Sequence, residues 1–92
     1  MVKKSNIPQE FLAVIGIENA KAVKAALDRN RLSQKWLLWR LDQDWGFKLK
    51  PSELSELLYG KRPVGPKMQK VLWCAEQIIT EYESFYKERR KK

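Results

Sequence analysis

The residue types that carry out most enzymatic chemistry are scarce in this sequence. It has no histidine and a single cysteine, Cys74, so a Ser-His-Asp triad, a Cys-His pair and a conventional zinc site all lack essential residues. The carboxylates show no spacing typical of an acid/base pair or a calcium loop. We therefore predict a protein that is not an enzyme and that uses no metal, cofactor or small-molecule substrate. Cys74 is expected to be a small buried apolar residue.

Positive charge is the strongest chemical signal. Nineteen lysines and arginines face eleven acidic residues, which gives a net charge of +8. A small basic protein attracts polyanions such as nucleic acid, although the charge could also serve solubility alone. No apolar run is long enough to span a bilayer, and the N-terminal region is a poor signal peptide. We therefore expect a cytoplasmic protein that binds no membrane.

The apolar residues recur every three or four positions between proline and glycine residues, so we predict an all-α fold. Pro8 suits the start of the first helix and Gly16 its C-terminal cap, while Ser33 is a good N-cap for the third helix. Five helices are expected, over residues 8–15, 19–30, 33–44, 51–59 and 66–89.

These helices are expected to form one domain over residues 1–92, with a core over about 8–82 and a basic tail over 87–92. The tail could be solvated or anchor phosphates nonspecifically. The last helix would be roughly 36 Å long, longer than a domain of this size is wide. Because its apolar stripe persists to Tyr86, we expect its far end to pair with another chain, and a solvated end after about Tyr82 is the alternative. The predicted interface residues are Trp39, Trp73, Ile79, Tyr82, Phe85 and Tyr86.

Two leucine-rich segments have the pattern of a helix-turn-helix unit. The first reads Leu-Ser-Gln-Lys-Trp-Leu-Leu-Trp-Arg-Leu over residues 32–41, and the second reads Leu-Ser-Glu-Leu-Leu-Tyr-Gly-Lys-Arg over residues 54–62. The leucines of each segment share one helical face, which we expect to be directed at the core. Small polar residues then point outward from the second helix, and a short helix of this kind can approach base edges in the major groove. Gln34 lies in the first turn of its helix, where the helix dipole favours a phosphate.

These segments resemble the lambda-repressor-like (Cro/C1, Xre-type) family of helix-turn-helix DNA-binding domains, of the kind carried by Gram-positive phages and mobile elements. The resemblance covers residues 20–79. It implies a compact five-helix domain that binds double-stranded DNA as a repressor-like transcriptional regulator, as a homodimer. The base-reading positions that it implies are Pro51, Ser52, Ser55 and Glu56. The predicted phosphate-binding residues are Ser33, Gln34, Lys35, Lys48, Lys50, Tyr59, Lys61, Arg62 and Lys67.

A protein-interaction module on the same fold is the alternative, such as an antirepressor or an inhibitor of a host nucleic-acid enzyme. Glu53 and Glu56 favour it, because they bring negative charge to the presumed groove-facing surface. The connection over residues 42–50 is also longer than the family's usual turn, and we expect Trp45 and Phe47 to fold part of it onto the core. Trp36 and Trp39 are expected to pack against the first helix, although a protein-binding surface is the other possibility.

Overall fold

Residues 9–90 are described by the computed structural model, of which residues 9, 11 and 86–90 are described by backbone alone. This part of the chain is all-helical and contains no strand. The helices are α1 (Gln9–Leu12), α2 (Ile17–Arg29), α3 (Gln34–Arg40), α4 (Pro51–Leu58) and α5 (Pro66–Arg90). Because α1 is a single turn, four longer helices form the body of the described domain, and the expected five-helix count is not confirmed.

The residue Gly16 begins a helix instead of ending one, so its expected role as the C-terminal cap of the first helix was wrong. Helix α1 ends at Leu12, and Gly16 is the N-cap of α2. The backbone N–H of Gly16 donates to Oδ1 of Asn19 at 2.9 Å. This local hydrogen bond satisfies a backbone donor that has no partner within the helix, so it stabilises a helix start at this position. Pro8, the expected start of the first helix, lies outside the described residues.

The connection between α3 and α4 is an ordered segment. Helix α3 continues into a π-helical turn, Leu41–Trp45, which ends at Gly46 in the left-handed conformation, with φ of 77°. The Gly46 N–H donates to the carbonyl of Asp42 at 2.9 Å, and the Phe47 N–H donates to the carbonyl of Leu41 at 3.1 Å. Trp45 and Phe47 are partly buried against the core, which confirms the expectation for these two residues.

We expect Gly46→Ala to destabilise the domain by about 1 kcal/mol, because a Cβ atom is disfavoured in the left-handed region. The midpoint of urea denaturation, followed by tryptophan fluorescence, measures the change. Gly65→Ala is the matched control, since a Cβ at Gly65 meets no atom within 4 Å and the backbone there does not lie in the left-handed region. Equal midpoints for the two variants would contradict the role assigned to Gly46.

Helix α5 supplies the largest share of the core. Its buried residues are Met68, Val71, Leu72, Cys74, Ala75, Ile78 and Ile79. The burial of Cys74 agrees with the sequence-based expectation. Polar contacts also join α5 to α2, since Asn19 Nδ2 donates to Glu76 Oε2 at 2.8 Å and Arg29 Nη2 lies 2.6 Å from Glu83 Oε2.

Part of the apolar stripe of α5, which the sequence assigns to an intermolecular interface, packs within the domain. Ile79 is only 4% exposed. Trp73 is half-buried and makes an edge-to-face contact with Trp45, with ring centroids 5.5 Å apart. Tyr82 makes the same kind of contact with Trp36, at 5.6 Å. Ile79, Trp73 and Tyr82 therefore stabilise the monomer.

The aromatic residues that remain at the surface are fewer than the sequence suggested. Trp36 and Trp39 were both expected to pack against the first helix, but Trp39 is 59% exposed and the ring contact of Trp36 is with Tyr82 of α5. Phe85 is 60% exposed and lies beyond the buried face of α5. The side chain of Tyr86 lies outside the described residues. The molecule measures 42 Å along its longest axis, against 26 and 24 Å in the other directions.

Candidate nucleic-acid interface

Helix α4 is the element that the sequence predicts for base reading; it begins at Pro51 as expected and ends at Leu58, one residue before the expected end. Pro51 occupies the first turn, where its missing N–H has no intrahelical partner to lose. The buried residues Leu54, Leu57 and Leu58 attach the helix to α2 and α3. Gly60, with φ of 73°, ends the helix, and the Lys61 N–H donates to the carbonyl of Glu56 at 2.8 Å. Local signals therefore determine both ends of α4.

The four predicted base-reading residues lie on the side of α4 away from the core. Pro51, Ser52 and Glu56 are exposed, and Ser55 is half-buried. Small hydroxyl side chains at two of these positions leave room for a base edge to approach the helix. The arrangement is therefore compatible with insertion of α4 into a major groove, which admits one helix.

Glu53 turns back toward the start of α4. Its Oε1 accepts a hydrogen bond from the backbone N–H of Lys50 at 2.9 Å. This hydrogen bond is the main reason why the pKa of Glu53 lies below its usual value. Partial desolvation opposes the shift, and the positive charges of Lys67, Arg62 and Lys50 add to it. We call Lys50, Arg62 and Lys67, which surround Glu53, the first basic cluster.

The lowered pKa of Glu53 predicts a pH dependence of stability. A carboxyl whose pKa is lower in the folded state than in the unfolded chain stabilises the fold above its unfolded pKa, here 4.5, and loses this effect as the pH falls through its folded pKa. We therefore expect Glu53→Gln to lower the denaturation midpoint at neutral pH and to have a smaller effect at about pH 3. A difference between the two proteins that is the same at both pH values would contradict this prediction.

Arg62 and Glu56 form an ion pair on the same surface, with Nη2 and Oε1 2.9 Å apart. The chain after Gly60 therefore folds back along α4 and holds the guanidinium against it. The Nε atom of Arg62 is buried and has no hydrogen-bond acceptor among the described residues. Arg62 thus lies where the sequence predicts a phosphate contact, but its charge is partly neutralised by Glu56.

The predicted phosphate-binding residues of α3 and the following connection lie at the surface. Ser33 Oγ accepts from the Trp36 N–H at 3.0 Å, which confirms the predicted N-cap. Gln34 is half-buried in the first turn and Lys35 is exposed beside it. Lys48 lies 3.0 Å from Asp42 Oδ1, in an exposed pair that contributes little to stability. Lys50, Lys61 and Lys67 are exposed as well.

The structure adds one element that the sequence did not connect with this surface, the face of α2 that carries Ile17 and Lys24. Lys24 Nζ lies 4.9 Å from the ring centroid of Tyr59, which follows α4 and is 57% exposed. The hydrogen bond that Lys24 Nζ donates to Asp28 Oδ2, at 2.9 Å, is the main reason why the pKa of Lys24 is raised. A Cβ atom at Gly60 would lie 3.3 Å from Cδ1 of Ile17. No local spacing signals these contacts, because Lys24 and Tyr59 are 35 positions apart in the sequence and Ile17 and Gly60 are 43 apart.

The described residues include no group of three or more His, Cys, Asp or Glu side chains arranged to hold a metal ion. None of their helices has the length and apolarity that crossing a membrane requires. Comparison of the chain with protein-family models, with curated proteins and with solved structures finds no match. The geometry and charge of the surface around α4 are therefore the features that bear on function.

Proposed function

We propose that this chain binds double-stranded DNA as a repressor-like transcriptional regulator and that α4 enters the major groove. One observation carries the proposal: α4 presents Ser52 and the half-buried Ser55 on its side away from the core, and basic residues lie beside it. Lysines and arginines placed beside a helix in the groove would neutralise backbone phosphates, which supply much of the affinity of proteins for DNA. The basic residues in question are Lys50, Lys61, Arg62 and Lys67.

The two glutamates that favoured the alternative hypothesis both have partners within the protein. Glu53 accepts the Lys50 N–H, and Glu56 pairs with Arg62. Their negative charge is therefore partly compensated before any DNA approaches. This pairing weakens the electrostatic argument against DNA binding, and Glu56 keeps a carboxylate that could accept a hydrogen bond from cytosine N4.

The finer features of the proposal follow the resemblance described above. They are a lambda-repressor-like arrangement of the helices, an origin in a phage or mobile element, action in the cytoplasm, and a homodimer on a two-fold symmetric operator. Because Ile79 is buried and Trp73 and Tyr82 pack within the domain, Trp39 and Phe85 are the remaining exposed aromatic residues that we propose for the dimer surface.

Binding of the full chain to duplex DNA tests the proposal directly. If about six phosphates are contacted, the logarithm of the association constant should fall with the logarithm of the salt concentration with a slope of about −5. Selection of bound duplexes from a random pool should then enrich a palindrome. A protein that shifts no duplex even at about 50 mM salt would rule the proposal out.

Substitutions separate phosphate contacts from base contacts. Gln34→Ala should weaken binding to all duplexes by a similar factor, because phosphates carry no sequence information. Ser52→Ala and Ser55→Ala should instead change which duplexes the selection enriches. A uniform loss for all three variants would contradict the base-reading role of α4.

A protein-interaction module remains a second candidate, and the exposure of Trp39 favours it. Tryptophan is enriched at the centres of protein interfaces, and this side chain is 59% exposed on α3. A stoichiometric protein partner that the wild type binds and Trp39→Ala does not, with no duplex binding by either protein, would support this candidate. Recovery of nucleic acid without such a partner would contradict it.

A further inference from the structure

One face of α2 lies against the C-terminal end of α4. Ile17, Lys21 and Lys24 are spaced four and three residues apart, so they share this face. Two contacts fix its position, because Ile17 lies beside Gly60 and Lys24 lies over the ring of Tyr59. Lys21 is located between these two contacts along α2 and is exposed. Positive charge from α2 therefore accumulates beside the end of α4.

This charge is available to an anion. The partner of Lys24 is Asp28, at 2.9 Å, and Asp28 is on the same helix and well exposed. An exposed pair of this kind is weak, so a phosphate can compete with the carboxylate for the ammonium group. Tyr59 adds a hydroxyl that can donate to a phosphate oxygen, and the exposed Lys61 follows it directly in the chain. The four side chains together offer three positive charges and one neutral donor.

The first basic cluster lies around Glu53, in the first turn of α4 and thus toward the other end of the helix. The eight residues of α4 rise about 12 Å, which is close to the width of the major groove. Positive charge therefore lies at both ends of a helix whose length matches the distance between the two phosphate backbones that border the groove.

We propose that Lys21, Lys24, Tyr59 and Lys61 form a second phosphate-binding cluster, which contacts the DNA strand across the major groove from the strand bound by the first basic cluster. The inference rests on the proposed function and extends it, since it adds α2 to the DNA-binding surface. It also determines the orientation of the protein: α4 crosses the groove from one backbone to the other.

The test compares the wild type with the double variant Lys21→Gln/Lys24→Gln on a short mixed-sequence duplex between about 50 and 300 mM NaCl. Loss of two phosphate contacts should change the log–log salt slope from about −5.4 to about −3.6 and should lower the affinity at 0.1 M salt by up to about 60-fold. Ethylation of phosphates on both sides of the groove should interfere with binding of the wild type. In the double variant, ethylation of the phosphates on one side of the groove should no longer weaken binding.

Arg29→Gln is the matched control. It removes one positive charge from the same helix, but Arg29 faces α5, where it pairs with Glu83. It should leave the salt slope unchanged. Circular dichroism checks that each variant is folded. If the double variant does not fold, the single variant Lys21→Gln, at an exposed position, still tests the cluster.

The possible outcomes distinguish a failure of the proposed function from a failure of the second phosphate-binding cluster. A wild type that binds no duplex would overturn both the proposed function and the second cluster. A wild type that binds duplex DNA, together with a folded double variant that has the same salt slope and the same interference pattern, would overturn the second cluster alone.

Discussion

Leu57→Ala is expected to reduce the free energy of unfolding by about 3 kcal/mol. Leu57 is 0% exposed and lies on the core-facing side of α4, so the substitution removes buried apolar contacts and leaves a cavity. A domain of 92 residues has a total stability of roughly 5–14 kcal/mol. The variant would therefore lose a large fraction of its stability, and urea denaturation followed by tryptophan fluorescence measures the loss.

Val14→Ala provides the control for this prediction. Val14 is 80% exposed, so its truncation should change the free energy of unfolding by less than about 0.5 kcal/mol. Under conditions in which Leu57→Ala is still mostly folded, the DNA affinity of Leu57→Ala should fall only in proportion to the fraction of that variant that is unfolded. Similar losses of stability in the two variants would mean that α4 is not anchored by the core as described.

Arg62→Ala should produce the largest loss of DNA affinity among single substitutions, at least about tenfold, which corresponds to about 1.4 kcal/mol. The substitution has two effects in the same direction. It removes a charge that would meet a phosphate, and it leaves Glu56 without the partner that lies 2.9 Å away. An unpaired carboxylate on the groove-facing surface would repel the DNA backbone.

Glu56→Gln should have the opposite effect on a mixed-sequence duplex and raise the affinity several-fold, because it frees Arg62 and removes the negative charge. On a selected duplex it should reduce discrimination between sequences if Glu56 reads a base. The double variant Glu56→Gln/Arg62→Ala should bind better than Arg62→Ala alone. Titration of labelled duplex at fixed salt measures all three variants. Weaker mixed-sequence binding by Glu56→Gln would contradict this electrostatic account.

Sequence reasoning succeeded where a structural signal is local. Pro51 and Gly60 determined the ends of α4, Ser33 identified an N-cap, and the leucine spacing identified the faces directed at the core. The all-helical architecture followed from the same periodicity. These features depend on residues within one or two helical turns of each other, so they can be read without knowledge of the tertiary structure.

Errors arose where the partner of a residue is distant in sequence. An apolar stripe shows which face of α5 is covered but not which molecule covers it. Ile79 and Trp73 were therefore assigned to a second chain, although they pack within this one. Lys24 was overlooked because its position beside Tyr59 exists only after α2 and α4 have packed together. Gly16 was misassigned because a glycine can cap either end of a helix.

The burial of Cys74 gives the protein an internal reporter of its own opening. It is the only cysteine in the sequence, and its side chain is enclosed in the core on α5. A thiol reagent can reach the sulfur only when α5 separates from the other helices. The labelling rate therefore reports how often the native structure opens in this way. Bound DNA that stabilises the folded protein should slow the labelling by the factor by which it shifts the folding equilibrium. A single modification reaction could thus measure, without any change to the sequence, how strongly a ligand holds the helices together.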